Sequence, residues 1–176
     1  MAIFHEEEGS RFRYVLKRTF VGHGNPHRLC VWMNPSTADD KEDDASIRIG
    51  MSFAKRWDDA GIIVINVMDL VCTDSRELPK ERGRAIGEMH WHYVDMVLGG
   101  AYGEVHKEVM CGWGDAGAGH LAEAMRYRLL ANRFVPCALA LTKSGNPGHP
   151  LRKSLDSKLV PFGAPLAPAK NYELEA

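Results

Sequence analysis

The sequence predicts an α/β fold. It has three layers, α/β/α, around a short and mainly parallel central sheet, with an antiparallel edge strand from the N-terminus. Two observations predict it. Apolar runs of strand length, Leu29–Met33, Ile62–Val67, Glu108–Cys111 and Val135–Leu141, alternate along the chain with stripes at helical spacing, the signature of helices between strands. Right-handed crossovers between parallel strands then put helices on both faces of the sheet. Length agrees, because 176 residues suit one domain, placed at 1–160 with a proline-containing tail over 161–176.

The first element is the alternating segment Phe12–Phe20, in which Phe12, Tyr14 and Leu16 share one face and Arg13 and Lys17 are polar interruptions. Gly22, Gly24, Asn25 and Pro26 make a turn, so this segment and Leu29–Met33 read as a hairpin. The second strand stops at Asn34-Pro35. After the acidic stretch Asp39–Asp44, a helix begins at Ala45 with Ile49, Phe53, Ala54 and Trp57 along one side. Asp44 is its N-cap and Gly61 its expected stop. Ile62–Val67 is the next strand. A loop with Asp74, Ser75 and Pro79 leads to a helix carrying Ile86, Met89, Tyr93, Val94 and Val97, closed by Gly99-Gly100. Glu108–Cys111 ends in Gly112-Trp113-Gly114; the following helix carries Leu121, Met125 and Leu129 and stops at Asn132. Val135–Leu141 is the last strand.

Composition narrows the function. Lys plus Arg total 22 against 23 acids, a net charge of −1, which excludes a polybasic binder. No apolar run is long enough to span a bilayer, and the N-terminus with Glu6, Glu7 and Glu8 is unlike a signal peptide. The four cysteines form no C-x-x-C pair and read as reduced thiols. A cytoplasmic protein without membrane contact is expected. No phosphate loop, dinucleotide fingerprint or nucleophile elbow is present in the sequence, so no cofactor is implied.

In an open parallel sheet, ligands bind beyond the carboxyl ends of the strands. All four such ends here carry polar, Gly or Pro residues: Asn34-Pro35-Ser36-Thr37, Asn66, Gly112-Trp113-Gly114, and Thr142-Lys143-Ser144-Gly145-Asn146-Pro147-Gly148-His149-Pro150. Pro35 forces Asn34 into extended backbone, which holds its amide at a defined angle beyond the sheet. Asp44 stands where it can orient a water; Arg48, a turn later, can pair with Asp44 or receive an anion. His149, in a loop reaching the same edge, suits acid–base work near neutral pH. Trp113 between glycines offers a face on which a base can stack. Lys143, Arg152, Lys153 and Lys158 against Asp156 give the last strand end a basic character that attracts anions. The eight histidines form no metal set, and the acids 39–44 read first as a solvated loop with a cap. Metal-dependent phosphoester chemistry at Asp39, Asp43 and Asp44 is the third reading.

Asn34-Pro35-Ser36-Thr37-Ala38-Asp39, Asp43-Asp44-x-Ser46-Ile47-Arg48, Asn66, Gly112-Trp113-Gly114 and Thr142-Lys143-x-Gly145-x-Pro147-x-His149-Pro150-Leu151 together resemble domain of unknown function 1643, a family of uncharacterised bacterial and phage proteins, from about Arg13 to Leu151. The chain is more distantly similar to the uracil-DNA-glycosylase-like superfamily, although Trp32-Met33 precede Asn34 where that pattern has Gly, and Leu151 replaces its Ser. This second resemblance implies that Asn34 positions water, Asn66 reads a base edge and His149 stabilises the departing base. The expectation is an enzyme that cleaves an N-glycosidic bond. Catalytic Asn34, Asp44 and His149 would be assisted by the substrate-binding residues Pro35, Ser36, Thr37, Arg48, Asn66, Trp113, Thr142 and Lys143. Its partner would be a nucleotide, nucleobase or single-stranded nucleic acid. The alternative is a binding module using the same edge without turnover.

Overall fold

A computed structural model describes residues 1–22, 24–74, 78, 85–151 and 153–163. Among them are seven strands in one sheet and three helices. In chain order these are β1 (Ala2–Glu7), β2 (Ser10–Thr19), β3 (Arg28–Trp32), α1 (Ala45–Arg56), β4 (Gly61–Asn66), α2 (His90–Leu98), β5 (Glu108–Gly112), α3 (His120–Ala131), β6 (Val135–Ala138) and β7 (Val160–Pro161). The strand order is β1-β2-β4-β3-β5-β6-β7. Pairings β4–β3, β3–β5 and β5–β6 are parallel, whereas β1–β2, β2–β4 and β6–β7 are antiparallel. The fold is therefore mixed α/β, with its parallel pairings confined to the centre of the sheet.

Two expectations need correction. The sheet is not mainly parallel, because both flanks are antiparallel. Strand β1 is a short, partly exposed edge whose three apolar residues, Ala2, Ile3 and Phe4, are consecutive rather than alternating, and the turn that follows is built for a hairpin. Glu8 and Gly9 both take positive φ, 48° and 77°, as a two-residue hairpin turn demands. The predicted hairpin of β2 with β3 does not form either. Strand β4 lies between them and pairs Leu16 with Val64 on one side and Cys30 with Val64 on the other. Adjacency in space is a tertiary property that the local alternation of Phe12–Phe20 does not encode.

Alternate residues of the same strands feed two cores. One contains Cys30, Trp32, Ile62, Val64 and Met110 with Ile47, Phe53 and Ala54 of α1. The other contains Leu29, Val31, Ile63, Ile65 and Cys111 with Val94, Val97 and Leu98 of α2 and Leu121, Met125 and Leu129 of α3. Asp44 caps α1 as predicted, accepting from Ile47 N at 2.9 Å. Gly61 does not stop the helix; α1 ends at Trp57, and Asp58 takes the left-handed turn at φ 60°. Gly61 instead opens β4 at φ 141°, where a side chain would overlap the Arg18 carbonyl of the neighbouring strand. Gly61→Ala is accordingly expected to cost about 2–3 kcal/mol, read as a lower urea midpoint with unchanged slope.

The starts of β3 and β5 are held by a buried ion pair. The Arg28 guanidinium donates through Nε and Nη2 to both oxygens of Asp59, each at 3.0 Å, and through Nη1 to the Glu108 carbonyl at 2.9 Å. Asp59 is 1% exposed; His106 Nε2 lies 2.9 Å from its Oδ1, close enough for electrostatic contact but off the line of a hydrogen bond.

Other expectations fall as follows. Cys30, Cys111 and Cys137 are buried free thiols and Cys72 is a half-buried one; burial pushes the Cys137 thiol up to about 11. Among the described residues no helix is long and apolar enough to cross a membrane. Ser75, Pro79, Arg152 and the tail beyond residue 163 lie outside the described residues, while β7 at Val160–Pro161 still pairs with β6.

Candidate functional site

The connections leaving β3 and β5 diverge. That from β3 leads into α1 and its core, and that from β5 leads into α3 and the opposite core. Neighbouring parallel strands whose connections part in this way leave a crevice outside their carboxyl ends. The loop after β6 folds back over it. Gly112, at the end of β5, has no side chain where a Cβ would sit 2.9 Å from Pro150 Cδ and 3.4 Å from the His149 Cα. The His149 ring tilts against Trp32 of β3, centroids 5.8 Å apart. Gly114 N donates to the Pro147 carbonyl at 2.8 Å. The Pro147-Gly148-His149-Pro150 turn thus lies on Trp32 and Gly112, the last residues of β3 and β5, and Asn34 follows Trp32 by two positions in the chain.

Asn34 is anchored rather than free. Its Nδ2 donates to the Cys72 carbonyl at 2.8 Å and the Pro35 carbonyl at 2.9 Å, while Cys72 N returns a bond to the Pro35 carbonyl. The amide clasps the loops that leave β3 and β4, and the group it leaves over is Oδ1, an acceptor. Pro35 is buried, Ser36 half-buried and Thr37 exposed at the tip.

His149 carries a defined tautomer. Leu151 N donates to its Nδ1 at 3.1 Å, so the neutral ring holds its proton on Nε2. Burial lowers the imidazole's affinity for a proton, and the charge of Asp44 pulls the other way. Asp44 acts in the same sense on Arg13. The folded ring resists protonation, so the unfolded chain takes up the proton first as pH falls below the ordinary value of 6.5. This contribution to stability is complete above that value and is lost on descending toward the folded state's lower one. His27 is lowered with the same sign. Urea melts between pH 8 and 5 are therefore expected to show a smaller acid loss in His149→Gln than in the parent chain.

Arg13 is the residue that sequence reasoning missed. Strand β2 carries a bulge: Ile3 faces Val15 but Phe4 faces Arg13, so Tyr14 is left without a partner. The extra residue reverses the alternation. Phe12, Tyr14 and Val15 all enter the α2–α3 core, while Arg13 turns to the α1 side, donating through Nη1 to the Ala38 carbonyl at 2.9 Å and through Nη2 to Asn66 Oδ1 at 3.5 Å. Arg13 and Asn66 are each 2% exposed and Trp32 is 3%. Arg13 Nε, Asn66 Nδ2 and Trp32 Nε1 are buried donors without an acceptor among the described residues, each a cost of about 1–3 kcal/mol. Asn66 and Trp32 are register partners, as are Trp32 and Gly112. Arg13, Asn66, Trp32 and His149 therefore form a row across the rim on the α1 side. Burial pushes the Arg13 guanidinium down to about 10.

Four other predicted residues have different roles. Trp113 is 4% exposed, belongs to the α2–α3 core and meets Phe162 edge-on at 5.7 Å; it offers no face for stacking. Gly117 fits closely against it, where a Cβ would lie 2.9 Å from the Trp113 Cβ. Arg48 is exposed and donates to the Asp43 carbonyl, not to the Asp44 carboxylate. Thr142 donates to Asp115 Oδ1 at 2.6 Å, and Asn146 Nδ2 donates to the same oxygen at 2.7 Å. These bonds shape the turn, hold the Asp115 carboxyl below its ordinary range and leave Lys143 on the exposed outside. The basic group also divides: Lys158 joins Arg28, Trp57, Glu108 and Leu159 around a cavity of about 230 Å³ at the opposite edge of the strands, and Asp156 pairs with Arg56.

The acidic stretch serves the fold. Asp39 Oδ1 accepts from Lys41 N and Glu42 N, Asp43 pairs with Arg18 at 2.8 Å, and Asp44 caps α1. Among the described residues no three of His, Cys, Asp or Glu stand together as metal ligands would.

The model of the family described as Protein of unknown function (DUF1643) matches residues 13–151. The chain belongs to this family, and the matched span contains every residue of the rim. No curated protein and no solved structure matches the chain, so the glycosylase-like resemblance rests on its residues alone.

Proposed function

We propose that the protein acts on a nucleobase or nucleotide and cleaves an N-glycosidic bond at this rim. The observation that supports the reading best is the packing of the His149 turn on Trp32, two residues before Asn34, and on Gly112, with the charge of Asp44 acting on His149. Such a bond breaks through an oxocarbenium-like sugar, which calls for an oriented water on one side and a donor to the departing base on the other. Asn34 Oδ1 and the Asp44 carboxylate accept the hydrogens of the water whose oxygen bonds to the anomeric carbon. The C–N electron pair leaves with the base, and His149 Nε2–H donates to it. The released water proton passes to Asp44 or to solvent. Each group is already in the form its task requires, since His149 is a neutral donor and Asn34 is reduced to an acceptor.

A second reading, binding without turnover, draws on one observation. The Asn34 and Thr142 donors are committed to the protein itself, as suits a rigid receptor. A thermal-shift screen against bases, nucleosides, nucleotides and short oligonucleotides, followed by mass analysis for free base, separates the two. Stabilisation with base release is expected. Stabilisation without product would favour the binding module, and no response to any compound would overturn both readings.

A further inference from the structure

We propose that Arg13 and Asn66, with Trp32 beside them, form a subsite for an oxyanion, a phosphate or carboxylate group of the ligand. The inference rests on the rim being the ligand site and extends it by naming what the ligand must carry. Two arginines of β2 and one of β3 set the contrast. Arg28 is paired with Asp59, and Arg18 with Asp43. Arg13 is the most buried of the three, yet no carboxylate stands within ion-pairing distance of it among the described residues. Asp44, whose charge reaches Arg13, has Oδ1 committed to the first turn of α1.

The neighbours supply donors instead of the missing anion. Arg13 Nε, Asn66 Nδ2 and Trp32 Nε1 are all buried and unpartnered among the described residues, and His149 adds Nε2–H at the end of the row. A buried cation surrounded by orphaned donors is complementary to a group that only accepts. The β2 bulge is what delivers Arg13 to this face, a common use of bulges beside binding sites. Arg13 Nη1 is taken by the carbonyl of Ala38, which follows exposed Thr37 in the chain.

Calorimetric titration of the full chain with inorganic phosphate, acetate, a nucleoside and its 5′-monophosphate tests the subsite. The monophosphate is expected to bind about tenfold or more tightly than the nucleoside, and phosphate or acetate alone to bind at the same place. Phosphate binding without acetate binding assigns the subsite to phosphoryl groups, and the reverse assigns it to carboxylates. Asn66→Asp places a carboxylate beside Arg13; it is expected to raise the melting temperature and to abolish the phosphate response. Trp32→Phe, which removes one donor and keeps an aromatic ring, is expected to weaken phosphate several-fold. Equal affinity for nucleoside and monophosphate, with no binding of either ion, would overturn the subsite even if base is released. Phosphate binding that Asn66→Asp leaves intact would overturn it too. Phosphate binding without base release supports the subsite and removes the glycosidic reading instead.

Discussion

Asp59→Ala is expected to lower stability by about 3–5 kcal/mol, the loss typical of removing one partner from a buried ion pair. The substitution leaves the Arg28 guanidinium, 7% exposed, with the Glu108 carbonyl and a carboxylate oxygen 3.8 Å away as its polar partners among the described residues. It also removes the carboxylate oxygen that lies 2.9 Å from His106 Nε2. Because Arg28 opens β3 and Glu108 opens β5, the damage falls on the central parallel pair. At about 2–4 °C per kcal/mol for a chain of this length, the melting temperature should fall by roughly 10 °C. Replacing both partners with apolar residues of similar volume should recover much of the loss; a double variant as unstable as the single one would contradict this account.

The second large effect concerns the reaction. His149→Ala is expected to lower base release by about 10²–10⁴-fold, the usual worth of a positioned proton donor, with a small change in melting temperature, since the half-buried ring makes one local hydrogen bond, from Leu151 N, and a tilted contact with Trp32. The neutral form of His149 is the active one in this scheme, and a conservative His149→Gln retains a donor, so it should recover part of the rate. Asn34→Ala is a poorer test. Losing its two bonds to the Cys72 and Pro35 carbonyls would loosen both loops as well as the water site. Unchanged base release in His149→Ala would remove the imidazole from the mechanism.

The central strands could be read from the chain because each is a short apolar run of β-branched and sulfur-bearing residues closed by a breaker. Asn34-Pro35 shows how far such reading reaches: the proline announces the end of β3 and an immobilised side chain. Asp44 was equally legible, since a cap is a local bond to residues three positions away. Order in the sheet was not. Placing β4 between β2 and β3 depends on which apolar edges find each other, and nothing within Phe12–Phe20 records it. Arg13 was hidden for a related reason. Strict alternation puts it with Val15, and only the unpaired Tyr14 moves it to the other face. Trp113 misled in the opposite sense, because glycine on either side suggests an open ring, whereas Gly117 and Phe162 enclose it.

The position of β4 also has a consequence for how the protein is made. When residues 1–20 emerge from the ribosome, β1 and β2 can join through the Glu8-Gly9 turn, but a lone two-stranded hairpin is marginal in water. Its second edge must wait for Gly61–Val64, on the order of several seconds of synthesis later. During that interval Leu16 and Val15, fully buried in the finished protein, face the surrounding water or a chaperone. Nascent-chain stalls placed before and after residue 66 should differ sharply in protease sensitivity at the N-terminus.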